Sequence, residues 1–180
     1  MGGGPPYNRP MIRIRTLSFV FVLTTLSLTY APNIGAAERG EAGLPLPRFV
    51  SLRAEEVNLR TGPGVQYPVD WVYHRQTLPV QIIAEFENWR KIRDWEGTQG
   101  WMHQSMLTGR RTVVISGATH ALRRKPHAKS APVAMAEAHV IGSLLTCPEG
   151  SSWCKVDVDG YVGWLRHVDF WGTFPGEAVK

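Results

Sequence analysis

Two cysteines in 180 residues cannot build a disulfide-dense scaffold, and they are too few for a closed zinc site unless histidines contribute. The six histidines (74, 103, 120, 127, 139 and 167) form neither an H-E-x-x-H pattern nor a close ligand pair, so no metal site or cofactor is expected. Gly62-Pro63-Gly64 is too short for a phosphate loop and has Pro where a backbone donor is needed. The most apolar run, Leu17 to Leu28, has 12 residues, well below the roughly 20 of a membrane-spanning helix. Hydrophobic residues make up 43% and charged residues 19%, which excludes a disordered chain. The length allows one ordinary domain or two very small ones and leaves little room for a large catalytic domain.

The apolar run has a meaning of its own. Arg9, Arg13 and Arg15 precede it, and Gly35-Ala36-Ala37 follow. A basic start, a short apolar core and a small-residue end make residues 1–37 a secretory signal peptide cleaved after Ala37. The alternative is an uncleaved N-terminal anchor. Met11 would begin a tidier signal than the Gly/Pro-rich Met1–Pro10, so either methionine can be the true start. The expected location is periplasmic or secreted, with no membrane association after cleavage.

Losing Arg9, Arg13 and Arg15 leaves 17 basic against 15 acidic residues, a mature charge of +2. That is a weak case for nucleic acid, which wants a clustered basic face, and no nucleic-acid partner is expected. The run Arg123-Arg124-Lys125 has no interleaved aromatics and reads as a solvated loop. Export places Cys147 and Cys154 where a disulfide can persist.

Residues 38–48 are polar and rich in Gly and Pro, as in a linker. Beyond them come short runs of β-branched and aromatic residues: VNLR, VDWV, PVQIIAEF, WRKIR, GWMH, then TVVIS, HVIGSLLT, WCKVDV and YVGWLR. Turn residues separate them, and the chain reads as all-β. The texture also repeats. Leu59-Arg60 and Pro63 recur 63 residues later as Leu122-Arg123 and Pro126, and Pro68-Val69 recur 64 later as Pro132-Val133. Trp89 and Lys91 recur 64 later as Trp153 and Lys155, and Gly100-Trp101 recur 63 later as Gly163-Trp164. An ordered, nearly constant offset implies two copies of a unit of about 60 residues. A unit of that size with about five strands is most economically a small barrel, which leaves few open edges. In WRKIRDW, Arg90 and Ile92 share one face, so Ile92 and its counterpart Val156 should face the core.

Val57-Asn58-Leu59-Arg60-Thr61-Gly62-Pro63-Gly64, Trp89-x-Lys91-Ile92 and Gly100-Trp101-Met102 closely resemble the bacterial SH3-like (SH3b) domains of exported proteins. The second copy keeps Leu122-Arg123, Trp153-x-Lys155-Val156 and Gly163-Trp164-Leu165, but Arg124-Lys125-Pro126-His127 replaces Thr-Gly-Pro-Gly. With both glycines lost, that loop is expected to forgo the positive-φ turn of the first copy. The resemblance implies two tandem SH3-like β-barrels, at 49–110 and 111–174, with a tail at 175–180. It also implies a non-catalytic binding role towards cell-wall peptidoglycan (glycan or peptide) or an envelope protein.

Aromatics are in surplus, with seven Trp. Trp89, Trp101, Trp153 and Trp164 recur in both copies and read as framework. Tyr67, Trp71, Tyr73 and Trp95 have no aromatic counterparts; Tyr67, Trp71 and Trp95, with Arg60 beside the Gly-Pro-Gly turn, are the candidate ligand-binding residues of the first barrel. Packing between the barrels is the other use for them. Cys147 and Cys154 flank a Pro-x-Gly-Ser turn, so antiparallel strands would bring them within disulfide reach; Ile83 and Arg90 would be the first-copy equivalents. The rival use of Cys154, as nucleophile of a Cys/His cell-wall hydrolase, requires a free thiol. The chain is expected not to be an enzyme, and no catalytic residue is assigned.

Overall fold

A computed structural model describes residues 1–2 and 39–180. The candidate signal segment lies outside them, apart from Met1 and Gly2. Among the described residues no helix is long and apolar enough to cross a membrane.

The first copy comprises β1 (Arg48–Leu52), β2 (Val57–Arg60), β3 (Val69–Tyr73), β4 (Pro79–Phe86), β5 (Trp89–Arg93), β6 (Gln99–His103), a 3-10 turn (Gln104–Met106) and β7 (Leu107–Thr108). The second comprises β8 (Thr112–Ile115), β9 (His120–Arg123), β10 (Pro132–Ala136), β11 (Ile141–Thr146), β12 (Trp153–Val158), β13 (Tyr161–Arg166), a 3-10 turn (His167–Asp169) and β14 (Phe170–Trp171). Each copy forms one antiparallel seven-stranded sheet, with orders β3-β2-β6-β5-β4-β1-β7 and β10-β9-β13-β12-β11-β8-β14. The two orders are identical position for position, so the sequence repeat is a repeat of topology. Seven strands rather than about five arise because the β2–β3 hairpin pairs with the sheet through β6, and the two-residue β7 closes onto β1.

Period-two alternation sets the inside of each barrel. In β5, Arg90 and Ile92 are buried while Trp89, Lys91 and Arg93 are less so. Ile92 and Val156 are fully buried. Leu52, Leu59, Val80 and Met102 join Ile92 in the first core; Val113, Leu122 and Leu165 join Val156 in the second. Gly100 and Gly163 let β6 and β13 press close to β2 and β9. A Cβ at Gly100 would lie 2.6 Å from the Leu59 side chain and 2.9 Å from the Arg60 carbonyl; at Gly163 the same distances separate it from Leu122 and Arg123.

Two details of the sequence reading are corrected by register. Arg60 faces Val69 and Arg123 faces Pro132, while Leu59 faces Trp71 and Leu122 faces Ala134. Val69 therefore corresponds to Pro132, and the Pro-Val match is one residue out of step. Gly62 and Gly64 are not among the positive-φ glycines. The Gly62 site is constrained instead by the Tyr67 ring, which a Cβ there would strike. The second loop accordingly reproduces the first without glycine. Thr61, Gly64 and Tyr67 amides donate to Pro68, Gly62 and Gly64 carbonyls, and Arg124, His127 and Ser130 amides donate to Ala131, Lys125 and His127 carbonyls.

Candidate functional site

The four first-barrel candidates do not form one cluster. Arg60 is held by its own loop: Nη1 donates to the carbonyls of Tyr67 (2.8 Å) and Val65 (3.2 Å). Arg123 repeats this, donating to the Ser130 carbonyl at 2.7 Å. Tyr67 and Trp71 are 40% and 58% exposed, and Val65 and Val69 are exposed with them. These four lie within the seven residues 65–71, on the hairpin ending in edge strand β3. Trp95 is elsewhere. It packs against the first core, and its ring sits 4.7 Å from that of His139 in the second barrel.

Tyr73 is buried beneath this region and donates from its hydroxyl to Asp94 Oδ2 at 2.9 Å. Burial and the Asp94 carboxylate push the phenol far above its usual range, so it is a permanent donor rather than an acid.

The second barrel offers a groove between its β9–β10 hairpin and its 3-10 turn. A cavity of about 350 Å³ is lined by residues that include His120, Arg123, Met135, Trp153, Arg166 and Asp169. Asp169 organises it. Its carboxylate accepts from Arg166 Nη2 (2.8 Å) and Nε (3.0 Å), a two-pronged pairing, and lies 3.4 Å from His120 Nδ1. His120 Nε2 donates to the Ser116 carbonyl at 2.9 Å. The first barrel has Val57 and Met106 where the second has His120 and Asp169, so this polar groove belongs to the second copy. Sequence reading missed it, because its members come from three separated segments; the exchange of Val57 for His120 between copies was the available signal.

Cys147 and Cys154 are bonded to each other, with Cα atoms 4.3 Å apart, and no cysteine is free. A shared bulge sets their first-copy equivalents. Thr146 faces Lys155 as Ala84 faces Lys91, so Cys147 and Cys154 match Glu85 and Arg90, not Ile83 and Arg90. The disulfide thus occupies the place of a buried ion pair. Glu85, whose side chain is 1% exposed, lies 3.2 Å from Arg90 Nε and 2.5 Å from Arg48 Nη2, and accepts the Ala42 amide at 2.8 Å. Burial opposes its ionisation, but the Ala42 amide and both guanidiniums outweigh burial and hold its carboxyl below the usual range. His167 sits beside the disulfide: Nε2 is 3.2 Å from Cys154 Sγ, and Nδ1 is 3.0 Å from Thr173 Oγ1. Burial lowers its pKa against the opposing pull of Glu177 and the Ser151 carbonyl. A sulfur beside an imidazole has the outline of an activated nucleophile, but this sulfur is buried and bonded to Cys147. The two sulfurs and Nε2 lie within 4.8 Å of one another, but a disulfide leaves no thiolate to ligate a metal.

The comparisons identify the class these barrels define. The family described as bacterial SH3 domain matches residues 53–109 and again 116–172. The chain belongs to that family, with two tandem copies. Among solved structures, it is similar to NlpC1 of Trichomonas vaginalis (11% identity, 75% of this chain, 49% of that one, TM-score 0.33). It is also similar to NlpC2 of the same organism (11%, 71%, 48%, 0.32) and to an NlpC/P60 family protein of Bacillus cereus (16%, 69%, 57%, 0.31). The chain spans about half the length of these proteins. Comparison with curated proteins gave no match.

Proposed function

We propose that this is an exported, non-catalytic binding protein of the cell envelope whose barrels bind peptidoglycan, through its glycan or its peptide. The observation that carries the reading is the set of exposed apolar side chains Val65, Tyr67, Val69 and Trp71 along the hairpin that ends in β3. A folded scaffold leaves a large aromatic such as Trp71 more than half exposed at a cost that a ligand would recover, and flat aromatic faces suit sugar rings and peptide alike. Membership of the bacterial SH3 family supports a binding module. Co-sedimentation of the exported protein with isolated peptidoglycan tests the reading. Binding should be retained by the parent and weakened at least tenfold in Tyr67→Ala/Trp71→Ala, in line with about 2 kcal/mol or more for an aromatic hot spot. Failure of the parent to sediment, with capture of an envelope protein instead, would favour an assembly module in the periplasm.

A Cys/His cell-wall hydrolase is the second reading, favoured by the 3.2 Å approach of Cys154 Sγ to His167 Nε2. It requires the disulfide to open. Mass measurement after alkylating the unreduced exported protein decides this. No alkylation before reductant leaves the hydrolase without a nucleophile; two alkylated thiols would restore it.

A further inference from the structure

The second barrel has an open cavity of about 220 Å³ beside β10. By strand register Ala134 replaces Trp71 and Ala136 replaces Tyr73. Two large aromatics of β3 are thus absent from the matching positions of β10, and the cavity there is walled by Leu122, Val140 and Val158. Its rim differs in character. Tyr161 and Met135 are each 59% exposed, and Glu137 and Asp159, both exposed, also line the cavity. Among the described residues neither carboxylate is in an ion pair. The volume is below the roughly 300–1,000 Å³ of sites for whole small molecules and suits a single inserted side chain. Beside it runs β10, the end strand of its sheet, whose first residue is Pro132, a residue tolerated at such edges.

We infer that this cavity and the β10 edge form a second recognition site, taking an extended polypeptide segment of a partner protein with one lysine side chain in the cavity. The aliphatic stem would lie on Leu122, Val140 and Val158, and the ammonium would meet Glu137 and Asp159 at the rim and the face of Tyr161. The segment's backbone would add as a strand along β10, where main-chain hydrogen bonds supply affinity and the side-chain cavity supplies specificity. This site lies apart from the Val65–Trp71 stretch and shares only Met135 of β10 with the lining of the His120 groove, so it stands or falls independently of the proposed envelope function.

The test is an amide-resolved NMR titration of the full chain with acetyl-Thr-Val-Lys-Val-Thr-amide. Shifts should concentrate at Ala134–Glu137 and Asp159–Tyr161. The peptide with norleucine in place of lysine should bind at least fivefold more weakly, as should lysine peptide with Asp159→Asn/Glu137→Gln protein. Ala134→Trp/Ala136→Tyr, which restores the first-copy residues, should abolish binding while leaving the amide spectrum dispersed. Equal affinity for the two peptides would overturn the assignment, as would shifts centred on His120, or binding that survives the filling variant. Should the filling variant fail to fold, the carboxamide variant and the norleucine peptide still decide.

Discussion

Glu85 concentrates more charge chemistry than any residue that sequence reading had singled out. It satisfies Arg48, Arg90 and the Ala42 amide at once. Removing its carboxylate leaves Arg90 buried without a counter-charge, so Glu85→Ala should cost about 3 kcal/mol in denaturant unfolding. Its pH signature has a definite sign. The folded-state pKa is depressed, so its contribution is complete above the unfolded carboxylate range, near 4.3, and is lost as pH falls below that towards the folded value. Glu177 behaves alike: burial opposes ionisation, but Arg111, the Phe174 amide and His167 outweigh it. Burial also depresses the His167 pKa, so the melting temperature should begin to fall below about pH 6.5, and the two carboxylates should steepen the decline below about 4.5. Glu85→Gln and Glu177→Gln should each start lower at neutrality and decline less; curves parallel to the parent's would refute the assignment. None of this was legible beforehand. A carboxylate in a strand beside a turn looks solvated until the bulge turns it inward and residues 39–47 cover it.

Elements repeat more faithfully than side chains do. The β4–β5 and β11–β12 hairpins share a bulge and are locked at the same cross-strand position, one by an ion pair and the other by a disulfide. The Cys pairing was legible because it needed only a turn and an antiparallel hairpin. Its counterpart was misplaced because a bulge leaves no mark in residue spacing. The all-β class, the two copies and the inward Ile92 and Val156 were legible from strand texture and alternation. The His120 groove was not, since nothing local ties residues 120, 153 and 169 together. Opening the disulfide removes a short loop closure, so Cys147→Ala/Cys154→Ala should lose about 2.5 kcal/mol in urea unfolding, while reductant leaves that variant unchanged. Gly100→Ala and Gly163→Ala probe the other shared device. Each Cβ would meet a core leucine and a strand carbonyl that cannot give way, so each should lose about 1–3 kcal/mol. Tolerance of either would show that β2 or β9 can withdraw from its neighbour.

At the scale of residues 39–180, the two barrels share a seam. Phe49 on β1 packs edge-on against Trp171 and lies beside Phe174, with both ring centroids 4.8 Å away, and the Arg111 guanidinium stands 5.8 Å over it. Arg111 in turn holds Glu177 at 2.7 Å. The Thr112 hydroxyl and Arg75 Nη2 donate across to the carbonyls of Thr77 (2.7 Å) and His139 (2.5 Å), and Trp95 meets His139. Phe49 is 7% exposed, with Trp171, Phe174 and Arg111 of the second copy lying against it. Either barrel alone would have a core of marginal stability for its size, and this seam lets each support the other. The parent should therefore unfold in one transition, with circular dichroism and tryptophan fluorescence coincident. Phe49→Ala removes the central ring of the seam and should cost about 3–5 kcal/mol. With that coupling lost, unfolding should separate into two steps. Reductant then discriminates between them, because the disulfide is confined to the second barrel: it should lower the whole transition of the parent but only one of the two steps in Phe49→Ala. Two steps already present in the parent would mean that the seam carries no coupling and that the barrels are independent modules.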